Sequence, residues 1–163
     1  MLMDLAPEIV VLLIGASLLA GFIDSIAGGG GLITVPAMLL AGYPPVDALG
    51  TNKLQSLFGS GSATLAYASK GHVDLRKQLP AALVSFIGSV AGAGLATILP
   101  GEWLAAILPA LLIAIALYFA FKPNMDDFDR AQRITPFFFG LTIVPVIGFY
   151  DGVFGPGTGA FFM

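Results

Sequence analysis

The sequence contains no cysteine and a single histidine, His72. The absence of thiols excludes disulfides and thiolate metal sites, and one imidazole cannot form a histidine cluster. Charged residues account for only 10% of the chain, whereas soluble globular domains carry roughly 25%. The net charge of −3 provides no basic patch for nucleic acid. With no metal-ligand cluster and no nucleophile–base set, the sequence predicts a protein that is not an enzyme and carries no cofactor.

Hydrophobic residues, in contrast, account for 57% of the chain, and its mean hydropathy is +0.93. Several apolar runs approach the roughly 20 residues that a helix needs to cross a bilayer. The sequence therefore predicts an all-α, polytopic membrane protein. The predicted crossings are 9–41, which is broken, 46–69, 79–99, 104–121 and 134–154.

The first crossing is interrupted by a glycine-rich block at residues 21–36, GFIDSIAGGGGLITVP. Consecutive glycines carry a large backbone entropy cost in a helix, so the helix should break there. The apolar run that follows, residues 32–41, is too short to cross a bilayer alone. Residues 9–41 therefore form either one long interrupted crossing or a crossing followed by a re-entrant segment.

Basic residues indicate the orientation of the chain. Six of the seven lie in two predicted loops, 70–77 and 122–133, and two crossings separate these loops. The loops therefore share one side, which the positive-inside rule assigns to the cytoplasmic face of the inner membrane. The seventh basic residue, Lys53, falls inside the predicted crossing 46–69.

Residues 148–159, GFYDGVFGPGTG, resemble the glycine-rich block with a sequence offset of 127. The matching pairs are Gly21/Gly148, Phe22/Phe149, Asp24/Asp151, Gly28/Gly155 and Gly30/Gly157. Duplicated halves with helices interrupted at corresponding positions are typical of secondary transporters. We therefore divide the chain into a first repeat unit, 1–127, and the start of a second unit, 128–163. The units are parallel if 9–41 counts as one crossing, which we favour, and inverted if it counts as two.

Three segments in combination carry a resemblance to a known family: GFIDSIAGGGGLITVPAML, ALGTNKLQSLFGSGSATLAYASKGHVD and GFYDGVFGPGTGAFF. Over essentially its whole length the chain resembles the TauE/SafE family of membrane permeases. The resemblance implies a duplicated four-helix unit that transports sulfite, sulfonates or related organosulfur anions. Because the chain ends at Met163, inside an apolar stretch and early in the second unit, we expect it to be truncated at its C-terminus.

The glycine-rich breaks are candidate substrate-binding elements. Irregular backbone at membrane depth is tolerated only where it faces protein or a water-filled cavity. A half-helix that begins there presents its positive N-terminal end, which suits an oxyanion. Alternatively, the glycines only permit close helix packing. The candidate residues are Ser25, Gly28, Gly29, Gly30 and Gly31 in the first break, with Thr34 as a further hydroxyl donor, and Gly155, Gly157 and Thr158 in the second.

Lys53 is the candidate cation for an anionic substrate, with Asn52 and Thr51 as hydrogen-bonding neighbours. The ammonium could instead extend to the membrane interface, or pair with Asp24 or Asp47. These alternatives remain open on the sequence alone.

Two carboxylates, Asp24 and Asp151, occupy matching positions in the two breaks. A charge at the bilayer centre costs at least ~2.5 kcal/mol, so each must be paired, protonated or close to the interface. They either carry a coupling proton or cation, or they cap the broken helices.

Small residues on the crossing 79–99 form a ridge at helical spacing, with Gly88 and Gly92 four positions apart; its members are Ser85, Gly88, Ser89, Gly92 and Ala96. In lipid, such a ridge allows a second helix to approach closely. The sequence therefore predicts a tight helix–helix contact on this face.

Together these features predict a secondary transporter for a small anion that works by alternating access in the lipid bilayer. Coupling to protons or cations and assembly into a homo-oligomer are further hypotheses. The alternatives are a passive anion channel, whose pore the same glycine motifs would line, and a non-transporting membrane scaffold.

Overall fold

The computed structural model describes residues 6–26, 28–121, 135 and 138–161. These residues form helices and contain no strand, which confirms the predicted all-α class. The helices are α1 (Pro7–Ile26), α2 (Gly31–Leu40), α3 (Pro45–Ser69), α4 (Leu75–Ile98), α5 (Gly101–Phe121), a π-helical turn (Phe139–Ile143), α6 (Val144–Val153) and a 3-10 turn (Thr158–Phe161). The predicted loop 122–133 lies outside the described residues.

Three helices among the described residues are long and apolar enough to cross a membrane: Pro7–Ile26, Leu75–Ile98 and Gly101–Tyr118. Large apolar side chains stand exposed on them, as expected of surfaces that contact lipid. The chain is therefore a membrane protein, as predicted. Helix α3 is as long as these three, but its polar residues, Lys53 among them, keep it out of this group.

Two helix starts follow from local sequence. Pro45 opens α3 at its first position, where the missing N–H is not needed. Asp74 precedes α4, and its carboxylate accepts hydrogen bonds from the N–H groups of Arg76 and Lys77 at 3.0 and 3.4 Å. Asp74 is therefore a helix cap in the loop that we predicted to be aqueous.

The first glycine-rich break lies between α1 and α2, as predicted, and reverses the direction of the chain. Gly28 has a positive φ of 68°, which only glycine adopts readily. Helix α2 then folds back along α1: Gly30 packs on Ala20, and Leu13 near the start of α1 packs against the cluster that contains Val35. Because α2 has 10 residues, it extends about 15 Å, half the hydrocarbon thickness. The fold-back resembles the geometry of a re-entrant segment, and the number of times that residues 9–41 cross the membrane stays a prediction.

The buried apolar core of the first unit joins three helices. Val35 and Met38 of α2 pack with Ala48 and Leu49 of α3 and with Leu108 of α5. Phe154, which follows α6, packs against the same cluster. The start of the predicted second unit is thus anchored on the core of the first.

Among the described helices, α4 and α6 pack most extensively against each other, as the glycine ridge predicts. Gly88 of α4 faces the Pro145 carbonyl, and Gly92 faces Gly152 of α6. A Cβ added to Gly152 would lie 2.8 Å from the Gly92 Cα. Gly148 likewise contacts Ser85. The predicted close approach is therefore confirmed, with α6 as the partner.

A π-helical turn leads into α6 and directly precedes Val144 and Pro145. Proline has no N–H to donate to the preceding turn of helix. Val144 donates its N–H to the carbonyl of Phe139, five residues earlier, instead of four. The predicted interruption of the crossing 134–154 at Pro145 thus takes the form of a widened turn.

Candidate functional site

The two glycine-rich breaks meet in the folded chain. Gly159 donates its N–H to the Gly28 carbonyl at 3.3 Å. A Cβ added to Gly28 would lie 3.0 Å from the Gly159 Cα. Gly155 and Gly157 also have positive φ angles, of 84° and 80°. The segments that the sequence repeat relates therefore lie side by side, and we call the region between them the junction.

We expect Gly28→Ala to lower the free energy of unfolding by about 1–2 kcal/mol, because an L-residue with positive φ is strained by that amount. The added methyl group would also press on Gly159 across the junction. Chemical unfolding in mixed micelles measures this change. Gly29→Ala is the matched control, because its Cβ would meet nothing closer than Ile23 Cγ2 at 3.7 Å. Equal losses in the two variants would contradict a special role for Gly28.

Asp24 is buried at the start of the junction, with 5% of its surface exposed. Its Oδ1 accepts the Gly30 N–H at 2.7 Å, and its Oδ2 accepts the Ser56 hydroxyl of α3 at 2.8 Å. A carboxylate at this position satisfies an N–H group at the start of α2 and opposes the positive end of that helix. Of the two roles considered for Asp24, the geometry matches the cap.

Three further N–H groups at the start of α2 also bond within the protein. Leu32 donates to the Gly29 carbonyl at 3.1 Å, and Ile33 and Thr34 donate to the Gly30 carbonyl at 2.9 and 3.0 Å. These three donors belong to the helix start that the sequence suggested for an oxyanion. In this conformation they stabilise the first turn of α2.

Thr34 takes part in a hydrogen-bonded chain that ties the three N-terminal helices together. Its hydroxyl donates to Gln55 Oε1 at 2.9 Å, and Gln55 Nε2 donates to the Ser17 carbonyl at 2.7 Å. Gln55 therefore links α2 to α1 from its position on α3.

Lys53 extends from α3 towards the end of α6. Its Nζ lies 3.6 Å from Asp151 Oδ2 and also donates to the Asp151 carbonyl. A cation is favourable there because α6 ends at Val153 and the last carbonyls of a helix carry partial negative charge. The alternatives that paired Lys53 with Asp24 or Asp47 are wrong, because its partner is Asp151.

Asn52 lies next to Lys53 and is buried, with 3% exposure. A Cβ on Gly31 would lie 2.8 Å from Asn52 Nδ2, so the amide packs directly on the backbone at the start of α2. Among the described residues, no group donates a hydrogen bond to Asn52 Oδ1. A buried acceptor without a partner costs about 1–3 kcal/mol, so this atom calls for an additional donor.

Gly155 completes the cluster from the second break. A Cβ added to it would lie 3.3 Å from both Asn52 Nδ2 and Lys53 Nζ. Two nitrogen donors from α3 therefore converge on backbone that carries no side chain. The break itself is fixed by the Tyr150 hydroxyl, which donates to the Pro156 carbonyl at 2.9 Å, and by the Thr158 hydroxyl, which donates to the Gly155 carbonyl at 2.6 Å.

The remaining candidates lie apart from this cluster. Thr51 is exposed on α3, and the Ser25 hydroxyl donates to the Phe22 carbonyl of its own helix at 2.6 Å. Gly157 packs against Ile115 of α5, which its added Cβ would approach to 3.0 Å. The structure thus brings together Asn52, Lys53, Gly31 and Gly155 with Asp151.

Ser89 is a polar contact of the cluster that sequence reasoning missed as a partner. Its hydroxyl donates to Asp151 Oδ2 at 3.3 Å from α4. The sequence did contain a signal for this contact, because Ser89 lies on the same ridge of small residues as Gly88 and Gly92. Nothing in the sequence said that α6 would be the helix packed against that ridge.

Comparison with known proteins identifies one matching family and several relatives that are named as probable membrane transporter proteins. The family model described as "Sulfite exporter TauE/SafE" matches residues 13–163. A "Probable membrane transporter protein ORF9" from Sinorhizobium sp. is 69% identical over 160 residues, which cover 98% of this chain and 61% of that protein. A "Probable membrane transporter protein" from Haemophilus influenzae is 46% identical over 158 residues, or 97% of this chain and 62% of that protein.

Escherichia coli K12 contains a more distant relative, "Probable membrane transporter protein YfcA", which is 44% identical over 157 residues, or 96% of this chain and 58% of that protein. The chain thus spans about three fifths of the length of these curated relatives. No solved structure matches it. The family match covers more than nine tenths of the sequence, and the chain belongs to the sulfite exporter TauE/SafE family.

Proposed function

We propose that the protein that contains this chain is a secondary transporter for a small anion of the sulfite or sulfonate class. The observation that carries the proposal is the convergence of Lys53 Nζ and Asn52 Nδ2 on the bare backbone of Gly155. An ammonium and an amide N–H are suitable donors to the oxygens of a tetrahedral or pyramidal oxyanion. Family membership supports the same solute class.

The surroundings of the cluster favour a binding site over a purely structural contact. Lys53 keeps 29% of its side chain exposed, so its charge is not sealed into the core. Asn52 Oδ1 remains an unpaired buried acceptor among the described residues. A hydrogensulfite, which carries a hydroxyl group, would supply a donor to that atom as well as oxygens for the ammonium.

We propose alternating access as the mechanism, because the site lies between elements of the two repeat units. Lys53 and Asn52 belong to α3, whereas Gly155 follows α6. A relative movement of the two units would open the junction to one side of the membrane and then to the other. The proposed arrangement is a multi-pass inner-membrane protein with residues 70–77 on the cytoplasmic side.

We expect Lys53→Met to abolish anion binding by the purified chain. Sulfite at about a hundredfold its Kd should stabilise the wild-type protein by about 2.7 kcal/mol, and this stabilisation should disappear in the variant. Thermal unfolding in detergent with and without sulfite measures this stabilisation. Lactate, a carboxylate, serves as the comparison anion. Lys77→Met is the matched control, because Lys77 is 83% exposed and pairs with Asp74 at the start of α4. Undiminished stabilisation in a folded Lys53→Met protein would remove Lys53 from the site.

Flux measurements test the transport step itself. Proteoliposomes that contain the wild-type chain, or the Sinorhizobium sp. relative of greater length, should take up labelled sulfite with saturation and counterflow. Flux without saturation or counterflow would support an anion channel. Binding without flux by the longer relative would contradict the proposed function.

A further inference from the structure

The cation of the proposed anion site already has a carboxylate partner within the protein. Asp151 Oδ2 lies 3.6 Å from Lys53 Nζ, on the same ammonium that the proposed substrate would contact. A carboxylate and a sulfonate oxygen are both acceptors with negative charge, so they would compete for this donor. The inference below rests on the proposed function.

The two repeat-related carboxylates differ in how firmly they are held. Asp24 has donors at 2.7 and 2.8 Å, one on each oxygen, and it is 5% exposed. Among the described residues, the partners of Asp151 are Lys53 and Ser89, which contact its Oδ2 at 3.6 and 3.3 Å, and its side chain is 39% exposed. Charge-assisted hydrogen bonds are normally about 2.7–2.9 Å long. Asp24 is therefore a fixed group, whereas Asp151 is held loosely enough to exchange with water or with another anion.

Lys53 can release this carboxylate without losing its position. Its Nζ also donates to the Asp151 carbonyl at the end of α6, and an ammonium has three hydrogens to donate. One can remain on the helix end while another changes partner. The ion pair also links α3 of the first unit to α6, which otherwise packs most extensively on α4.

We propose that Asp151 is an internal competitor for the anion site. The incoming anion displaces the Asp151 carboxylate from Lys53, and this exchange leaves the hydrogen bond from Lys53 Nζ to the Asp151 carbonyl as a weaker link between α3 and α6. Asp151 thereby sets the affinity of the site, and it couples occupancy of the site to the separation of the two helices.

The first test is the affinity for methanesulfonate, a monovalent anion that neither titrates in the working pH range nor reacts with disulfides. Asp151→Asn should bind it at least about fivefold more tightly than the wild type, the lower end of typical coupling effects. Asp74→Asn is the control: it also removes a carboxylate that pairs with a lysine, but asparagine caps α4 equally well. Isothermal titration in detergent should give an unchanged Kd for that variant.

The outcomes separate this inference from the proposed function. If the wild type binds methanesulfonate through Lys53 and Asp151→Asn binds it equally or more weakly, the competitor role is wrong and the anion site stands. If neither protein binds methanesulfonate or sulfite, both proposals fall. A tightening in Asp151→Asn alone supports the competition.

The second test measures the helix separation and does not depend on the folding of Asp151→Asn. The chain has no cysteine, so spin labels can be attached to Leu57→Cys on α3 and Val146→Cys on α6 without background labelling. Both side chains are exposed, at 65% and 67%. Saturating methanesulfonate should shift the distance distribution from pulsed electron resonance. An unchanged distribution at saturation would overturn the coupling between occupancy and helix separation.

Discussion

Gly92→Ala should unfold the contact between α4 and α6 and lower the free energy of unfolding by about 3 kcal/mol or more. A Cβ at this position would overlap the Phe149 carbonyl and lie 2.9 Å from both the Gly152 Cα and the Val153 N. All of these are backbone atoms of α6, so no side chain can rotate away. The two helices must instead move apart, which also breaks the hydrogen bond between Ser89 and Asp151.

The same helix provides the control for this prediction. Gly94 is exposed, and an added Cβ there would have nothing within 4 Å. Gly94→Ala should therefore be neutral or stabilise the protein by up to about 1 kcal/mol, since alanine is the better helix former. Chemical unfolding in mixed micelles compares the two variants, and similar values for both would contradict the close packing of α4 on α6.

The fold could be predicted well where one residue type dictates backbone geometry. The consecutive glycines predicted the break after α1, because each glycine is about 1 kcal/mol less favourable in a helix than alanine. The spacing of Gly88 and Gly92 predicted a close helix contact in the same way. The sequence did not identify α6 as the partner, although Gly148 and Gly152 carry the complementary spacing. The choice of partner depends on tertiary packing between residues about 60 positions apart.

The candidate site was less predictable because its contacts cross the boundary between the repeat units. Lys53 stood out in the sequence as a charge in an apolar environment, but its partner was sought among nearby carboxylates. Asp151 lies 98 positions away, and only the meeting of the two breaks brings it to Lys53. Likewise, the lack of a donor to Asn52 Oδ1 within the described part of the chain is a property of the packed structure. The parallel or inverted relation of the repeat units stays a prediction.

The different fates of the two matched aspartates show why a repeat does not transfer roles residue by residue. Asp24 and Asp151 align with an offset of 127, yet one caps α2 and the other pairs with a lysine. Asp24 is followed by α2, and its carboxylate accepts a hydrogen bond from the Gly30 N–H at the start of that helix. The second lies where Lys53 of α3 reaches the end of α6. Position in the motif predicted a carboxylate at each break, and the neighbouring elements determined its partner.

Asp24→Ala should destabilise the protein by about 3 kcal/mol or more, because it removes an acceptor from two buried or half-buried donors. Hydrogen bonds to a charged group contribute about 1.5–3 kcal/mol each, and Asp24 accepts from the Gly30 N–H and the Ser56 hydroxyl. Asp24→Asn should cost less, since its amide oxygen can still accept the Gly30 N–H. Ser25→Ala, which loses only a bond within α1, should stay within about 0.5 kcal/mol of the wild type.

A coupling role for Asp24 predicts a different result. Asp24→Asn would then stop sulfite flux in proteoliposomes, and Asp24→Ala would unfold at the same denaturant concentration as the wild type. The capping role predicts instead that Asp24→Ala loses much of its stability. It also predicts that the folded fraction of Asp24→Asn still binds sulfite.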